Sequence, residues 1–588
     1  MIIQEVPKML EKDAKQIAFE KLSNIDNVRI VSFDECKRLG FDPVFDLWEI
    51  DTEALVNDHL FPITIYLYFS TCFPVEIPKV YLSTETYNKV RYIPHVDNKK
   101  LVCTFDNEVI RVNHDDPFGI INECINRAKK ILCDGLHKVN FDDFISEFKA
   151  YWEETYEDEL KPKQVLSLID KLFVEDELKL ICLDNSLKGY KYILHKEDKT
   201  SKIFKEFLTE YGIKFKEVNA FQLNGFPLFE PPFNFSNRKI LEIISKYSNT
   251  QLSQFKLFIN ENQYPKLLVT KKIINEKEYY FGWFHSYLNT NRKGFRTGSI
   301  SRLMAFNTFQ ANDYVERIST ETFTPNRLEN RTAGEIGAQK FNMAIAGLGS
   351  IGSNLLFFLN SINLPSFSLI DDDFLKIENI NRHFLGFSYT NRFKTLALKE
   401  FLKTSNPIQE IKTKERSIIQ VITDEPDFIN SCDYLFSCIG NFNIESWLFR
   451  ALQNQSIKIP VFFIWVEPYL VGGHCLYMHP NDLIFEKYFK DGLFVNNVIP
   501  NDVYDNMEIQ FTKREAGCQT TFIPYSSANV ISFLSRLFPS ICSIIESKNE
   551  KSTSFSWVGN IEKLKEDGIP KSKFAENLES GQLVNMTL

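Results

Sequence analysis

The run FNMAIAGLGSIGSNLLFFLNSI (341–362) constrains the fold more than any other part of the chain. A short apolar segment of strand length meets a glycine turn and continues as an apolar segment of helix length. Gly347 allows a tight turn, Gly349 lets a phosphate approach the backbone, and Gly352 lets the helix start close to the strand; the helix N-terminus adds a partial positive charge. The same alternation recurs in SFSLID, TLALKEFLKTSN, CDYLFSCIGN and IPVFFIWVEP. It predicts an open, mostly parallel sheet with helices on both faces and chemistry at the carboxyl ends of the strands.

The stretch SLIDDDFLKIENINRH (368–383) limits which nucleotide such a sheet would hold. Asp371 ends the next strand, where a nicotinamide enzyme places its ribose-binding acid, so a dehydrogenase enters as one reading. Asn379, Arg382 and Lys394 favour another. A nicotinamide gains nothing from them, whereas a triphosphate being split needs cations where charge moves onto its oxygens. A surface ion pair is the plainer reading of Arg382.

These residues resemble the ThiF/MoeB-type adenylating enzymes, which include the ubiquitin-activating enzymes. GLGSIGS, LIDDDFLKIENINRH and FKTLALKEFLKTSNP stand in that family's order and spacing, apart from about one residue missing before Lys394. The resemblance implies ATP, with Asp371 on the ribose, Asn379 and Arg382 on the phosphates, and Lys394 where charge develops as pyrophosphate leaves. Lys399 is its rival. The family's magnesium-placing aspartate is replaced by Gly440, so the Mg2+ ligands are unassigned: either another acid, such as Asp372 or Asp373, serves, or the metal is held mainly by the triphosphate. An arginine lent across a dimer interface has candidates in Arg327 and Arg331.

At 588 residues the chain is too long for one core. We expect a small α+β domain over 1–156, a middle linker domain over 157–335 and the Rossmann-like adenylation domain over 336–588. In FPITIYLYF the residues Ile63, Ile65, Leu67 and Phe69 share one face of a strand, with Thr64, Tyr66 and Tyr68 on the other. Helical periodicity follows in GIINECINRAKKIL and FDDFISEFKAYWEETY. The Pro- and Phe-rich NGFPLFEPPFNFSN reads as a packed loop. No apolar run approaches the roughly 20 residues of a membrane span, and the N-terminus lacks an export signal's apolar stretch, so the expectation is a cytoplasmic protein. A net charge of -9 gives no reason to seek nucleic acid. Eleven cysteines without a C-x-x-C argue against a zinc ribbon and a disulfide framework.

Two cysteines stand apart. Cys518, in KREAGCQTTFIPYSSANV, follows Lys513 and Arg514, cations that favour the reactive thiolate. By resemblance it occupies the crossover segment where activating enzymes carry their thioester cysteine. Cys432, Cys438 and Cys475 lie in apolar strands and read as core. Cys103, in RYIPHVDNKKLVCTFDNE, resembles the active cysteine of a ubiquitin-conjugating domain, with His95 upstream and a helix after it. The family's His-Pro-Asn is here Pro94-His95-Val96, so no asparagine is present to assist isopeptide formation, and His95 reads as structural.

Together the two ends resemble the fused bacterial enzymes encoded beside cGAS-like nucleotidyltransferases in antiphage (CBASS) operons; FIWVEPYLVGGHC (463–475) has that group's Trp-x-Glu-Pro and Gly-Gly-His pattern. The resemblance implies adenylation of a nucleotidyltransferase C-terminus, a thioester relay from Cys518 to Cys103, transfer to a target lysine, and a homodimer. A sulfur-carrier-type adenylyltransferase without the relay is the alternative, and an inactive scaffold lies beyond it.

Overall fold

In a computed structural model the chain forms two compact units, one of Met1–Glu197 with Lys214–Thr322 and the other of Asp198–Ile213 with Phe323–Leu588. The residues described are 8–56, 59–105, 109–155, 160–225, 227, 229, 231–333, 340–362, 365–490, 492–504, 511, 513–514, 521–522 and 524–586.

The first unit contains two sheets. The N-terminal one is antiparallel, in the order β1 (Asn27–Ile30), β2 (Leu47–Val56), β3 (His59–Tyr68), β4 (Lys79–Leu82) and β5 (Leu101–Val102). The alternation read in β3 is the one observed: Ile63, Ile65 and Leu67, with Phe69 just beyond, are buried with Ala18 and Leu22 of the Lys8–Leu22 helix and with Ile121, Ile125 and Ala128 of the Pro117–Leu136 helix. That second helix starts where it does because the Asp116 side chain accepts from Gly119 N–H and Pro117 has no N–H to satisfy at the first position.

The other sheet of this unit runs β10 (Phe221–Leu223), β11 (Lys266–Ile274), β12 (Lys277–His285), β13 (Glu316–Thr322), β6 (Lys163–Ser167), β8 (Tyr190–Lys196), β7 (Leu178–Leu187), β9 (Phe215–Asn219). Phe233 and Phe235 of the Pro/Phe loop are buried in its core. So are Phe144, Phe148, Tyr151 and Trp152 of the Phe141–Glu153 helix. Trp152 donates to Ile318 O at 2.7 Å and Arg317 to Trp152 O at 3.0 Å, so this helix is rooted on β13.

In the second unit the expected sheet is present. Its order is β16 (Ile411–Lys414), β15 (Ser366–Ile370), β14 (Asn342–Ala346), β17 (Tyr434–Ser437), β18 (Val461–Val466), β19 (Gly472–Met478), then Thr553–Val558 and Leu583–Met586. Strands β14 to β18 are parallel, and the last three antiparallel. Buried side chains alternate along β14: Met343 and Ile345 join Leu355 and Leu398 on one face, Ala344 and Ala346 join Val421 and Leu448 on the other. Burial on both faces is what a doubly covered parallel sheet requires. The strand order reverses between β14 and β17, which opens a crevice at their carboxyl ends.

One helix corrects the expectation that no segment is apolar enough to span a membrane: Ser527–Ser547 passes by length and composition. Its Val530, Phe533, Leu534, Leu537, Ile541, Ile544 and Ile545 are buried at helical spacing in the core of the second unit. That stripe on one face is the pattern of a core helix in a globular domain.

Candidate functional site

The glycine turn after β14 is fixed by contacts that explain its sequence. Gly347 has φ +84°, and a Cβ there would stand 2.9 Å from the Cys438 carbonyl carbon; one on Gly352 would stand 1.9 Å from Gly347 O. Both positions therefore exclude larger residues, the first by backbone sign and the second by closeness of helix and loop. Gly349 caps the Ser350–Leu359 helix and faces open space, leaving room above the helix N-terminus.

Asp371 ties this turn to the next strand. Its carboxylate accepts from Leu348 N–H at 2.6 Å and from Asp373 N–H at 2.8 Å, and it lies 3.5 Å from Lys394 Nζ. Burial pushes its carboxyl above the usual carboxylate range, against the pull of Lys394 and the two amides. Lys394 begins the Lys394–Ser405 helix, is buried, and bonds Asp373 at 2.8 Å. Lys399, its rival by sequence, is held at 2.6 Å by Glu210 instead. Five positions along a helix turn the two lysines to different sides, and only Lys394 reaches the strand ends.

The Asn-Ile-Asn-Arg-His cluster docks on the polar face of the glycine-turn helix. Ser350 Oγ and Asn354 Nδ2 both donate to Arg382 O at 3.1 Å, and Ser353 Oγ accepts from Phe384 N–H. Asn379 accepts from Lys376 N–H at 3.0 Å and so shapes the turn that carries Arg382. The Arg382 guanidinium sits 5.4 Å from the Tyr525 ring centre. His383 has a role that the sequence reading did not assign: its ring bonds Leu348 O at 3.0 Å and accepts from Leu385 N–H at 2.9 Å. Burial lowers its pKa to about 4, so it is neutral and braces the glycine turn. The signal that could have found these contacts is the set of polar residues Ser350, Ser353 and Asn354 inside an otherwise apolar helix.

After β17, Gly440 takes φ +67° with open space where a side chain would stand. Glu445, in the first turn of the Phe442–Gln453 helix, is buried, and its pKa is pushed up to about 7 by that burial, with Gly440 N–H pulling the other way. Cys438 is buried and its thiol is pushed up; Cys432 and Cys475 are buried too, as their apolar strands suggest.

The Trp-x-Glu-Pro and Gly-Gly-His pattern forms a buried polar cluster. Glu467 accepts from Val498 N–H at 2.6 Å, Ile499 N–H at 2.9 Å and Tyr504 Oη–H at 2.9 Å, and faces His474 Nε2 at 2.8 Å. A Cβ on Gly472 would stand 2.0 Å from Glu467 Oε1. Tyr504 and Tyr525, on either side of Cys518 in sequence, are thus anchored on Glu467 and Arg382. Cys518 itself lies outside the described residues. Arg327 and Arg331 lie on the Pro325–Ala333 helix, Arg327 partly buried and Arg331 exposed.

In the first unit Cys103 is exposed just beyond β5. The spacing from His95 is that of a tight hairpin: Val96 bridges Val102, Asp97 accepts from Lys99 and Leu101 N–H, and Cys103 N–H donates to His95 O at 2.8 Å. His95 has φ +65°. Its ring lies 3.0 Å from Glu147 and 3.4 Å from Asp143, which raise its pKa. Burial, then Asp97, Glu147 and Glu154, push the Cys103 thiol up. Cys72 is a second exposed cysteine, unremarked in the sequence reading.

Residues 331–521 match the ThiF family model, and residues 47–161 match the model of Prokaryotic E2 family B. The chain is also similar to ubiquitin-like modifier-activating enzyme 5 of Drosophila simulans, Drosophila sechellia and Drosophila melanogaster, at 25% identity over 201 residues in each case. These matches take in 30% of this chain and 48% of each relative, so the chain spans about half the length of the curated relatives it matches. Among solved structures, the crystal structure of selenomethionine PaaA overlaps 37% of this chain and 60% of its own, with 14% identity and a TM-score of 0.27. The fold therefore combines an N-terminal E2-like domain (47–161) with a C-terminal ThiF domain (331–521), an arrangement that fits a fused E2/E1-like protein.

Proposed function

We propose that this chain is an ATP-dependent protein ligase. The reading rests on one observation above others: an exposed cysteine, Cys103, on an E2-like sheet belongs to the same chain as a ThiF domain whose glycine turn is braced by Asp371 and His383. A carboxylate oxygen of a protein C-terminus attacks the α-phosphorus of ATP, and pyrophosphate leaves. The Cys518 thiolate attacks the acyl carbon and AMP leaves; the Cys103 thiolate attacks that thioester and Cys518 leaves; an amine, a target lysine, attacks last and releases Cys103. Sulfur suits each exchange because it is both nucleophile and leaving group.

In this reading Asp371 orients the ribose once Leu348 N–H is shared with nucleotide, Asn379 and Arg382 orient the phosphates, and Lys394 leaves Asp373 to meet charge on the departing pyrophosphate. The acids present suit a hard cation: Asp372 and Asp373 would hold Mg2+, in place of the side chain that Gly440 lacks, and Mg2+ would neutralise phosphate charge. The acyl donor is the C-terminus of a cGAS-like nucleotidyltransferase, the setting is cytoplasmic antiphage defence, and the enzyme works as a homodimer; these steps rest on the sequence resemblance.

Intact-mass and exchange measurements with ATP and such a nucleotidyltransferase test the scheme. Cys518→Ala should keep ATP–pyrophosphate exchange and form no thioester, while Cys103→Ala should stall with a reducible adduct on Cys518. Normal conjugation by Cys103→Ala would remove the E2-like domain from the mechanism. Adenylation without a relay is the second reading, favoured by the acidic surroundings that push the Cys103 thiol up; it expects no reducible adduct.

A further inference from the structure

The hairpin that presents Cys103 is held from outside its own sheet. His95 N–H donates to Tyr151 Oη at 3.0 Å, and Tyr151 Oη–H donates to Glu147 at 2.6 Å. The second oxygen of Glu147 lies 3.0 Å from the His95 ring. Just beyond the C-terminal end of the same helix, Asn98 donates to Thr155 O at 2.9 Å. The adjacent apolar face of that helix is fixed: Phe148 packs on Phe281 at 4.9 Å between ring centres and Trp152 on Trp283 at 5.3 Å.

We infer that Glu147 and Tyr151 are positioning residues for Cys103, acting through His95, so that the core built around β12 and β13 sets how the E2-like cysteine is presented. The helix is rigid where it is rooted, and it grips His95 at a left-handed backbone position that a non-glycine residue adopts only under constraint. His95 O in turn receives the Cys103 amide, so a loosened His95 moves the sulfur. Neither Glu147 nor Tyr151 touches the acyl group. The inference rests on reading Cys103 as the acyl carrier.

The groups facing this thiol are Asp97 from the hairpin and Glu147 and Glu154 from the helix and its end, with His95, whose pKa is raised by Glu147 and Asp143, lying between those two acids. Two assays on the full chain use them. In the first, Cys103 is acylated by the mercaptoethanesulfonate thioester of acetylglycine, followed by peptide mapping: the Cys103 thiolate attacks the carbonyl and mercaptoethanesulfonate leaves. Compared at equal thiolate fraction, taken from the alkylation curve below, Tyr151→Phe and Glu147→Gln should each slow this step about tenfold, as loss of orientation does. In the second, alkylation by iodoacetamide is followed against pH. Glu147→Gln should move the midpoint to lower pH, because a negative charge near the thiol is gone, whereas Tyr151→Phe should leave it in place; simple loosening of the fold would not separate the two.

Glu147 is partly exposed, so Glu147→Gln keeps the core intact even where Tyr151→Phe does not fold. Acylation of Glu147→Gln at the wild-type rate for equal thiolate fraction, or an unmoved midpoint, overturns the inference. Neither assay needs ATP or a protein donor. A wild-type chain that acylates here yet never acquires a thioester from ATP therefore overturns the relay and leaves the positioning role standing.

Discussion

The glycine-turn site and the Cys103 site are built by opposite means. At the first, cations and acids neutralise one another inside a frame of backbone contacts: Asp371 and His383 hold the N–H and the O of one residue, Leu348, while Lys394 is paired with Asp373. At the second, one thiol stands among Asp97, Glu147 and Glu154, and its backbone is fixed by a helix rooted in another core. The first arrangement preorganises charge for a polyanion. The second disfavours the free thiolate and draws cations toward the sulfur.

The contrast breaks most readily at Lys394. Lys394→Ala should cut ATP–pyrophosphate exchange by about 10^2 to 10^3, the loss typical of a preorganised charge at developing negative charge, with Lys399→Ala close to wild type. Equal losses from both would erase the distinction that their different partners draw. Gly352→Ala comes next. Its Cβ must displace Gly347 O, so we expect a loss of about 2 kcal/mol in stability, read by thermal unfolding, with weakened exchange and unchanged iodoacetamide labelling of Cys103.

Glu445 sharpens the comparison through pH. Its folded pKa, about 7, lies above that of an exposed glutamate. The stability it contributes is therefore complete below the usual glutamate range and is lost as pH rises to about 7. Glu445→Gln, which keeps an acceptor for Gly440 N–H, should raise stability at pH 8 by a few kcal/mol, of order 3, and change little at pH 4. A melting curve shifted equally at both values would contradict that origin. The smallest effect is expected at Cys72: although exposed, it has no counterpart of the His95 hairpin, and Cys72→Ser should leave thioester formation unchanged.

Legibility followed the length of the contacts. Gly347, Gly349, Gly352 and Asp371 could be read because strand, turn and helix are consecutive and each glycine answers a backbone need within a few residues. The paired identities of Ser350, Asn354 and Arg382 O were hidden, since a side chain bonding a distant carbonyl leaves no periodic trace. The same is true of Glu467, whose partners at 498, 499 and 504 belong to a segment with no regular pattern. SSANVISFLSRLF reads as helix-like, but its membrane-compatible length was missed because Asn529, Arg536 and the serines Ser532, Ser535, Ser540 and Ser543 break up the apolar run, and only its position in the core shows which face is buried.

The amino-acid order alone determined the strand, turn and helix alternation, the nucleotide-type turn and the two cysteines worth asking about, because periodicity and backbone conformation are local properties of a chain. Tertiary structure alone decided that Lys394 rather than Lys399 faces Asp371, that His383 braces the turn, and that Glu147 and Tyr151 hold His95. Those outcomes depend on which side of a helix meets which loop across tens of residues, and packing of whole elements fixes that where no neighbouring residue can.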